Sequence, residues 1–383
     1  MLRALRILQL NSARKYVGEA AHTLNLTEAL RQRGHFVWLG LRKNFETMER
    51  AMARKLEPTG FHMPHRWWPP QDARDVHAIA KMVKREKIEI IHAHRGKDHW
   101  QAVFAARLYK LDVAIVRTRH VVTPLKNHAA NRWLARRTQA LVAVSQAVEA
   151  DVRRSGVYHD STLAFIPGGI DLSLFNPPTR ERREEARAAL GLYPDAPVAA
   201  CVARFATVKA HGVLLDAWKI VRQHQPRAML LLVGAGRHFE ASKLRAKALG
   251  IADGVQFLGK RFDVPQILDA ADMGVLASIG SEGFSRAVLE YMASALPTAA
   301  TRVGAIPDLI DEGVNGRMCA PNDARALAEA VLSIFNASSG QRRQWGRAAF
   351  EKVEASYNYC SWAAAHEQLY SELLEAPTDE LFE

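Results

Sequence analysis

"PGGIDLSLFNPPTRERREEA", residues 167–186, opens on a proline and two glycines, carries two adjacent prolines further on and ends in a run of charge. Proline cannot continue a helix or a sheet ladder, and glycine frees the backbone to turn, so the stretch interrupts whatever precedes it. It separates two series of one pattern. Before it, short apolar runs ("LRILQL", "FVWLG", "IEIIHAH", "VAIVRT", "ALVAVS", "LAFIP") alternate with amphipathic helical stretches at 22–33, 72–84 and 145–155. After residue 178 the pattern restarts with "PVAACVA", "AMLLLVG", "VQFLG", "MGVLAS" and "PTAAT", again with helices between. Such alternation predicts parallel sheets with crossover helices, built twice. The fold class is α/β: two doubly wound, Rossmann-like domains, hinged at this stretch and expected to face each other across a cleft. Ligands are expected at the carboxyl ends of the strands.

A chain of 383 residues is long enough for two full cores. Its composition, 48% hydrophobic and 24% charged, is that of a soluble globular protein. Three scattered cysteines, Cys201, Cys319 and Cys360, lack metal spacing and favour a reducing compartment. The apolar run at the start is too short for a signal peptide, and no run of 18 apolar residues exists. The expected location is the cytoplasm. The net charge of +12 is uneven: residues 1–170 hold 29 Lys and Arg against 14 Asp and Glu, the rest 23 against 26. That asymmetry asks for an anionic partner, or marks a solvated basic face.

Several motifs fail on inspection. "GVQFLGKR" (254–261) nearly matches a phosphate loop, but its middle is strand-like and Arg261 stands where a magnesium-binding hydroxyl belongs. "GAGRHFE" (234–240) lacks a third glycine and reads as a tight strand-to-helix turn. No Asp-x-Asp pair offers a cage for a metal-chelated diphosphate. His92 and His94 share one face of a strand end, but with no third ligand nearby the reading is structural rather than zinc-binding. Ser145 lies in "AVSQA", outside any nucleophile elbow.

What survives is a set of charged residues at strand ends. Arg204 follows the first strand of the second half, and Lys209 comes just before a helix, a pairing suited to a pyrophosphate. "SEGFSRAVLEYMA" (281–293) places Glu282 in a loop before a helix and Glu290 about two turns into it, with Val288, Leu289, Met292 and Ala293 at core spacing. An acid at a helix N-terminus orients, or competes with, whatever binds there. In the first half His120 ends a strand between cationic neighbours, and Gly18 permits close backbone approach at the next helix.

In this order, Gly18-Glu19, "IIHAH", "RTRH", "PGGIDLSLFNP", "ARFATVKAHG", "LLLVGAG", "FLGKRFDV" and "SEGFSRAVLEYMA" resemble the retaining GT-B glycosyltransferases of family four, from the first strand to about residue 335. The first half ("HRGKDHW", "VRTRHVVTPLKNHAANRW") looks like members that build bacterial lipopolysaccharide or related cell-surface glycans. The resemblance implies an acceptor domain over 1–177, rejoined by a C-terminal helix from about 358–383, and a nucleotide-sugar domain over 178–357. It implies a metal-independent transfer, with no cofactor, of a sugar from a nucleotide sugar to a glycan or lipid-linked acceptor. Glu282 and His120 would contact the donor sugar, and Arg204 and Lys209 would neutralise the leaving diphosphate. Phe284, Ser285, Arg286 and Ala287 would lie along sugar and diphosphate, with Gly18 and Gly236 in the donor loops. Glu290 would hold the ribose, and Arg261 would lie against the base. The chain departs from the family pattern at Val17-Gly18, where two glycines are usual, and at Lys209-Ala210, where Lys-Gly is usual.

Rival readings remain at this level. A sugar-nucleotide epimerase on the same scaffold, or a basic protein binding an anionic polymer, would share these features. Nucleic acid is not the expected partner, because the basic residues spread over many helices without aromatic interleaving. The basic half, with Trp67 and Trp68 beside Arg66, instead suggests peripheral docking on an anionic inner membrane surface.

Overall fold

The computed structural model describes residues 3–280 and 282–375. The chain divides into two compact units. One runs to Gly169 and is rejoined by the segment from Tyr359; the other is Ile170–Asn358. The expected C-terminal return thus begins at Tyr359, and its residues 376–383 lie outside the described residues.

The first unit contains β1 (Arg6–Asn11), α1 (Gly18–Gln32), β2 (Phe36–Arg42), α2 (Glu46–Ala53), β3 (Thr59–Phe61) and α3 (Pro69–Glu86). It continues with β4 (Ile90–Ala93), α4 (Gly96–Leu108), β5 (Ala114–Arg119), α5 (Ala129–Ala135), β6 (Ala140–Ala143), α6 (Gln146–Ser155) and β7 (Leu163–Phe165). Its strands pair in parallel in the order β3-β2-β1-β4-β5-β6-β7. The inner strands are buried on both faces, which is why they read as continuous apolar runs rather than alternating ones. Ser145, read as no nucleophile, caps α6 by accepting from the Val148 amide at 3.2 Å.

The second unit contains α7 (Arg180–Ala189), β8 (Val198–Val202), α8 (His211–His224), β9 (Met229–Val233), α9 (Phe239–Ala248), β10 (Val255–Gly259) and α10 (Val264–Asp269). Then come β11 (Met273–Leu276), α11 (Arg286–Ala293), β12 (Thr298–Thr301), α12 (Ile306–Leu309), β13 (Gly316–Cys319), α13 (Ala324–Phe335) and α14 (Ser339–Ser356). Its parallel sheet runs β10-β9-β8-β11-β12-β13. The last helix, α15 (Tyr359–Glu375), packs on α1 and puts Trp362, Ala363 and Tyr370 into the first unit's core beside Leu5, Ile7 and Leu26.

The seam has a physical cause in the stretch that announced it. A side chain at Gly169 would meet Trp362 within 2.8 Å, so only glycine lets the chain pass that ring. One residue on, the Ile170 amide donates to the Tyr357 carbonyl at 2.7 Å, pinning the outgoing and returning segments together. Two strands escaped the sequence reading, β3 and β13. Each is a short edge strand with few apolar residues, so neither carries the buried-strand signal. The helix of 281–293 begins at Arg286, which puts Glu290 about one turn in rather than two.

Candidate active site

In the second unit the loops at the carboxyl ends of the strands are hydrogen-bonded into one surface. The Phe205 amide donates to the Ala235 carbonyl at 3.1 Å, the Ile279 amide to Val208 at 2.9 Å and the Gly234 amide to Gly259 at 2.7 Å. Gly234 and Gly236 have φ of 144° and 156°, and a side chain at Gly236 would lie 2.3 Å from the Phe205 carbonyl oxygen. The "GAGRHFE" turn is therefore glycine-rich because one loop backbone lies on another.

Glu282 is buried on this surface. Its carboxylate pairs with the Lys209 ammonium and accepts from the Ser278 hydroxyl. A neighbouring loop fixes its backbone: the Ala305 amide donates to the Glu282 carbonyl at 2.7 Å. Gly304, at φ 54°, passes so close that a Cβ there would sit 2.1 Å from that same oxygen. Sequence reasoning missed Ser278 and Gly304. The only signal for Gly304 was a glycine three residues past the end of a strand, which many turns share.

Glu290, on α11, is also buried, and the Arg286 guanidinium one turn earlier reaches it at 2.8 Å. Burial raises its pKa above the ordinary carboxylate value, and Arg286 opposes the rise. Ser285 is buried with its hydroxyl unmatched among the described residues, at the head of the same helix. Phe284 packs half-buried on the core, and Ala287 is half-buried beside it. Tyr291 holds α11 to the sheet. Its hydroxyl accepts from the Val202 amide at 2.6 Å, and its ring lies where a side chain on Gly274 would be.

The cations divide by position. Arg204 is exposed just past β8, with no ion-pair partner among the described residues. Lys209 ends a short 3-10 turn, and the next residue, Ala210, is left-handed (φ 45°, ψ 45°) as it leads into α8. Arg261 is exposed just past β10 and pairs with Asp263. Phe262, beside it, is 68% exposed, an accessible ring at a strand end that sequence reasoning did not single out.

In the first unit Gly18 opens α1 with free space where a side chain would be. His120 lies just past β5. The cations expected to flank it have other duties. Arg117 is half-buried, donates to the carbonyls of Ala93 at 3.3 Å and Thr118 at 2.5 Å, and desolvation lowers its pKa to about 10. Arg119 pairs with Asp151 at 3.2 Å. The reading of His92 and His94 as a pair without a third ligand is corrected here. The strand order sets β5 beside β4 and α1 close by, so His120 and His22 join His94, their nitrogens all within 4.8 Å of one another. Those partners lie 26 and 72 positions away in sequence, which is why spacing alone did not find them.

Two parallel sheets wrapped by helices, the second with its acids and cations gathered at strand ends, define a GT-B scaffold. The solved structure of a glycosyltransferase from Rickettsia africae matches with a TM-score of 0.88 at 20% identity, covering 98% of this chain and 100% of that one. Anabaena Alr3699/HepE, solved in complex with UDP-glucose, matches with a TM-score of 0.81 at 21% identity, covering 95% and 99%. The family model for Glycosyltransferase Family 4 matches residues 17–174, and that for Glycosyl transferases group 1 matches residues 196–337. The lipopolysaccharide core biosynthesis mannosyltransferase LpsB of Rhizobium meliloti is 28% identical over 296 residues, 76% of this chain and 81% of that protein. The chain belongs to the family-four GT-B glycosyltransferases and is a glycosyltransferase.

Proposed function

We propose that the protein is a retaining glycosyltransferase that moves a sugar from a nucleotide sugar to a glycan or lipid-linked acceptor, in synthesis of lipopolysaccharide or a related cell-surface glycan. The observation that carries this is the pair of buried glutamates on one loop and helix, Glu282 held by Lys209 and Ser278, Glu290 held by Arg286. Two glutamates so placed can grip opposite ends of one ligand. Glu282 takes the sugar hydroxyls; Glu290 takes the ribose, a carboxylate accepting two hydrogen bonds. The diphosphate lies along the backbone of Phe284, Ser285, Arg286 and Ala287, with Gly236 in the adjoining loop. Arg204 and Lys209 bind its oxygens, Arg261 lies against the base, and His120 and Gly18 contribute from the first unit. The likeness to LpsB supports the glycan class.

The acceptor oxygen attacks the anomeric carbon on the face the diphosphate leaves. The bond from that carbon to the phosphate oxygen breaks with its electron pair going to the diphosphate, which takes the acceptor proton. Negative charge grows on the diphosphate, and the fixed cations Arg204 and Lys209 with backbone amides stabilise it without a metal. Glu282 and Glu290 contact different parts of the donor, so they are not a glycosidase pair.

Purified protein incubated with UDP-, GDP- and ADP-sugars and a lipid-linked or core-glycan acceptor tests the reading. NMR of the product should show the donor's anomeric configuration, and excess EDTA should not lower the rate. Conversion of a sugar nucleotide with no acceptor present would favour the epimerase reading, and inversion or strict dependence on a divalent ion would overturn this one. Among the described residues no helix is long and apolar enough to cross a membrane. We place the lipid-linked acceptor's approach at the first unit's basic surface, where Trp67 and Trp68 are 50% and 58% exposed.

A further inference from the structure

Five histidines meet in the first unit: His22 on α1, His92 and His94 at the end of β4, His120 past β5 and His366 on α15. They do not have equivalent freedom. Both ring nitrogens of His92 are engaged, Nδ1 with the Tyr370 hydroxyl at 2.7 Å and Nε2 with Thr118 Oγ1 at 2.6 Å. His366 uses Nδ1 on the Trp362 carbonyl at 3.0 Å. His94 is different. Its Nε2 lies 2.7 Å from Oε1 of the Gln9 side chain, an amide oxygen that can only accept, so the proton sits there and Nδ1 presents a lone pair. That Nδ1 lies 3.2 Å from Nε2 of His120. His22 closes the group from α1, its ring centroid 4.7 Å from that of His120 and 5.6 Å from that of His94.

Nitrogen atoms 3.2 Å apart are at the separation two imidazoles adopt on one tetrahedral ion, about 3.3 Å for bonds of about 2.05 Å. With three donors already within 4.8 Å of each other, side-chain adjustment of about an ångström completes a three-imidazole set. Burial holds His94 and His120 well below the ordinary imidazole pKa, so these rings are neutral at pH 7, the state in which they bind metal. The Gln9 contact is the outer support that fixes a ligating tautomer. Charges nearby are mixed: Arg117 and Arg95 act on His120 and oppose an ion, while Asp98 accepts from the His94 amide at 3.3 Å and Glu19 pairs with Arg95. His22 and His94 are buried while His120 is half-buried, which leaves an entry side and a fourth position for water.

We propose that His22, His94 and His120 bind one divalent ion of the zinc class (Zn²⁺, Co²⁺ or Ni²⁺), and that occupancy silences glycosyl transfer by engaging His120. The inhibitory half rests on the proposed role of His120 at the donor; the binding half does not.

The test uses the whole chain freed of metal by chelation. One equivalent of Co²⁺ should give the intense visible bands of a tetrahedral site, bleached by Zn²⁺. Zn²⁺ should abolish turnover with a midpoint equal to its Kd, and EDTA should restore it. His22→Asn and His94→Gln should each raise the Kd by about 100-fold or more, since losing a ligand costs at least what losing its outer support costs. His159→Gln, at an exposed site, should leave spectrum and Kd unchanged. If one ligand variant fails to fold by circular dichroism, the other variant and the wild-type cobalt spectrum still decide. Absence of the bands, or unchanged affinity in the folded variants, overturns the site and leaves the glycosyltransferase reading standing. Tight binding with unchanged turnover overturns the inhibitory role and the placement of His120 at the donor.

Discussion

The two units are built on one plan, yet they assemble chemistry in opposite ways. In the second, the polar groups come from compact stretches, 204–209 and 278–290, each at the end of one strand. In the first, Gln9, His22, His94, His120 and His366 come from five distant segments and meet only after folding. The second unit works by charge, an ammonium on one carboxylate and a guanidinium on another. The first gathers imidazole rings, all buried but His120, which is half-buried. A parallel sheet permits both, because each strand end delivers a loop to one edge. What differs is whether a single loop carries enough chemistry to act alone.

The largest expected effect tests the charged side. Arg204→Ala and Lys209→Ala should each lower kcat by a factor on the order of a hundred or more, as for loss of a fixed stabiliser of developing charge. Glu282→Gln, which keeps a polar partner for Ser278, should lower turnover far more than nucleotide affinity. Glu290→Ala should do the reverse, weakening nucleotide binding in calorimetry. Equal, small changes for both glutamates would reduce the loop to a helix start and erase the contrast between the units.

This contrast also sets what the sequence could show. The doubled α/β plan was legible because inner strands are apolar runs and because 167–186 breaks the chain. The edge strands β3 and β13 were not, since "TGF" and "GRMC" are not the apolar runs that marked equally short strands such as β7. Glu282, Glu290, Lys209 and Arg204 were legible because spacing near a helix start carries meaning over a few residues. Ser278 and Gly304 were not: one supports Glu282 by a single hydrogen bond, the other by lacking a side chain. The histidine group was half legible. His92 and His94 announce a shared face, but His22 and His120 become neighbours only through strand order and helix placement.

A second prediction concerns stability. His211 at the start of α8 is buried, stacked on Phe205 with centroids 3.9 Å apart, and burial lowers its pKa to about 4. Its folded pKa lies below the unfolded value of about 6.5. Above pH 6.5 both states are neutral and nothing is lost. As pH falls from 6.5 towards 4, only the unfolded chain takes up the proton, so stability drops, by about 2 kcal/mol at pH 5. Urea midpoints at pH 7.5 and pH 5, compared between wild type and His211→Gln, measure this. The variant should lose that part of the slope; an identical slope would mean the imidazole is protonated in the folded state.

A third prediction, smaller again, concerns the basic side. Trp67 rests edge-on against Trp100 and Phe104 with the Lys97 ammonium 3.7 Å from its ring centroid, so it is anchored while half of it stays exposed. If that surface docks on an anionic leaflet, the protein should sediment with anionic but not neutral vesicles and be released as salt rises. Arg66→Ala should cost about 1 kcal/mol of that binding, and Trp67→Ala/Trp68→Ala should weaken it further. Indifference to lipid charge would confine the basic half to acceptor binding or solvation and leave the transferase assignment untouched.

The smallest effect comes from a backbone detail that both units carry near helix ends, left-handed residues that are not glycine. Ala210 stands where the family pattern has glycine, and it is left-handed at φ 45° between Lys209 and α8. Lys87 is left-handed at φ 50° at the end of α3, on the surface of the first unit. A side chain in this conformation costs roughly 1–2 kcal/mol. Glycine removes that strain but adds back roughly 0.4–1 kcal/mol of unfolded-state entropy. Ala210→Gly and Lys87→Gly should therefore each stabilise the protein by about 0.5–1 kcal/mol in urea titrations. They should separate in function. Lys87→Gly touches no proposed donor contact and should leave kcat unchanged. Ala210→Gly frees the residue that follows Lys209, and any loosening of the Lys209–Glu282 pair would appear as a fall in kcat despite the gain in stability. A fall in both variants, or a loss of stability in either, would show that these positions are set by something other than local strain.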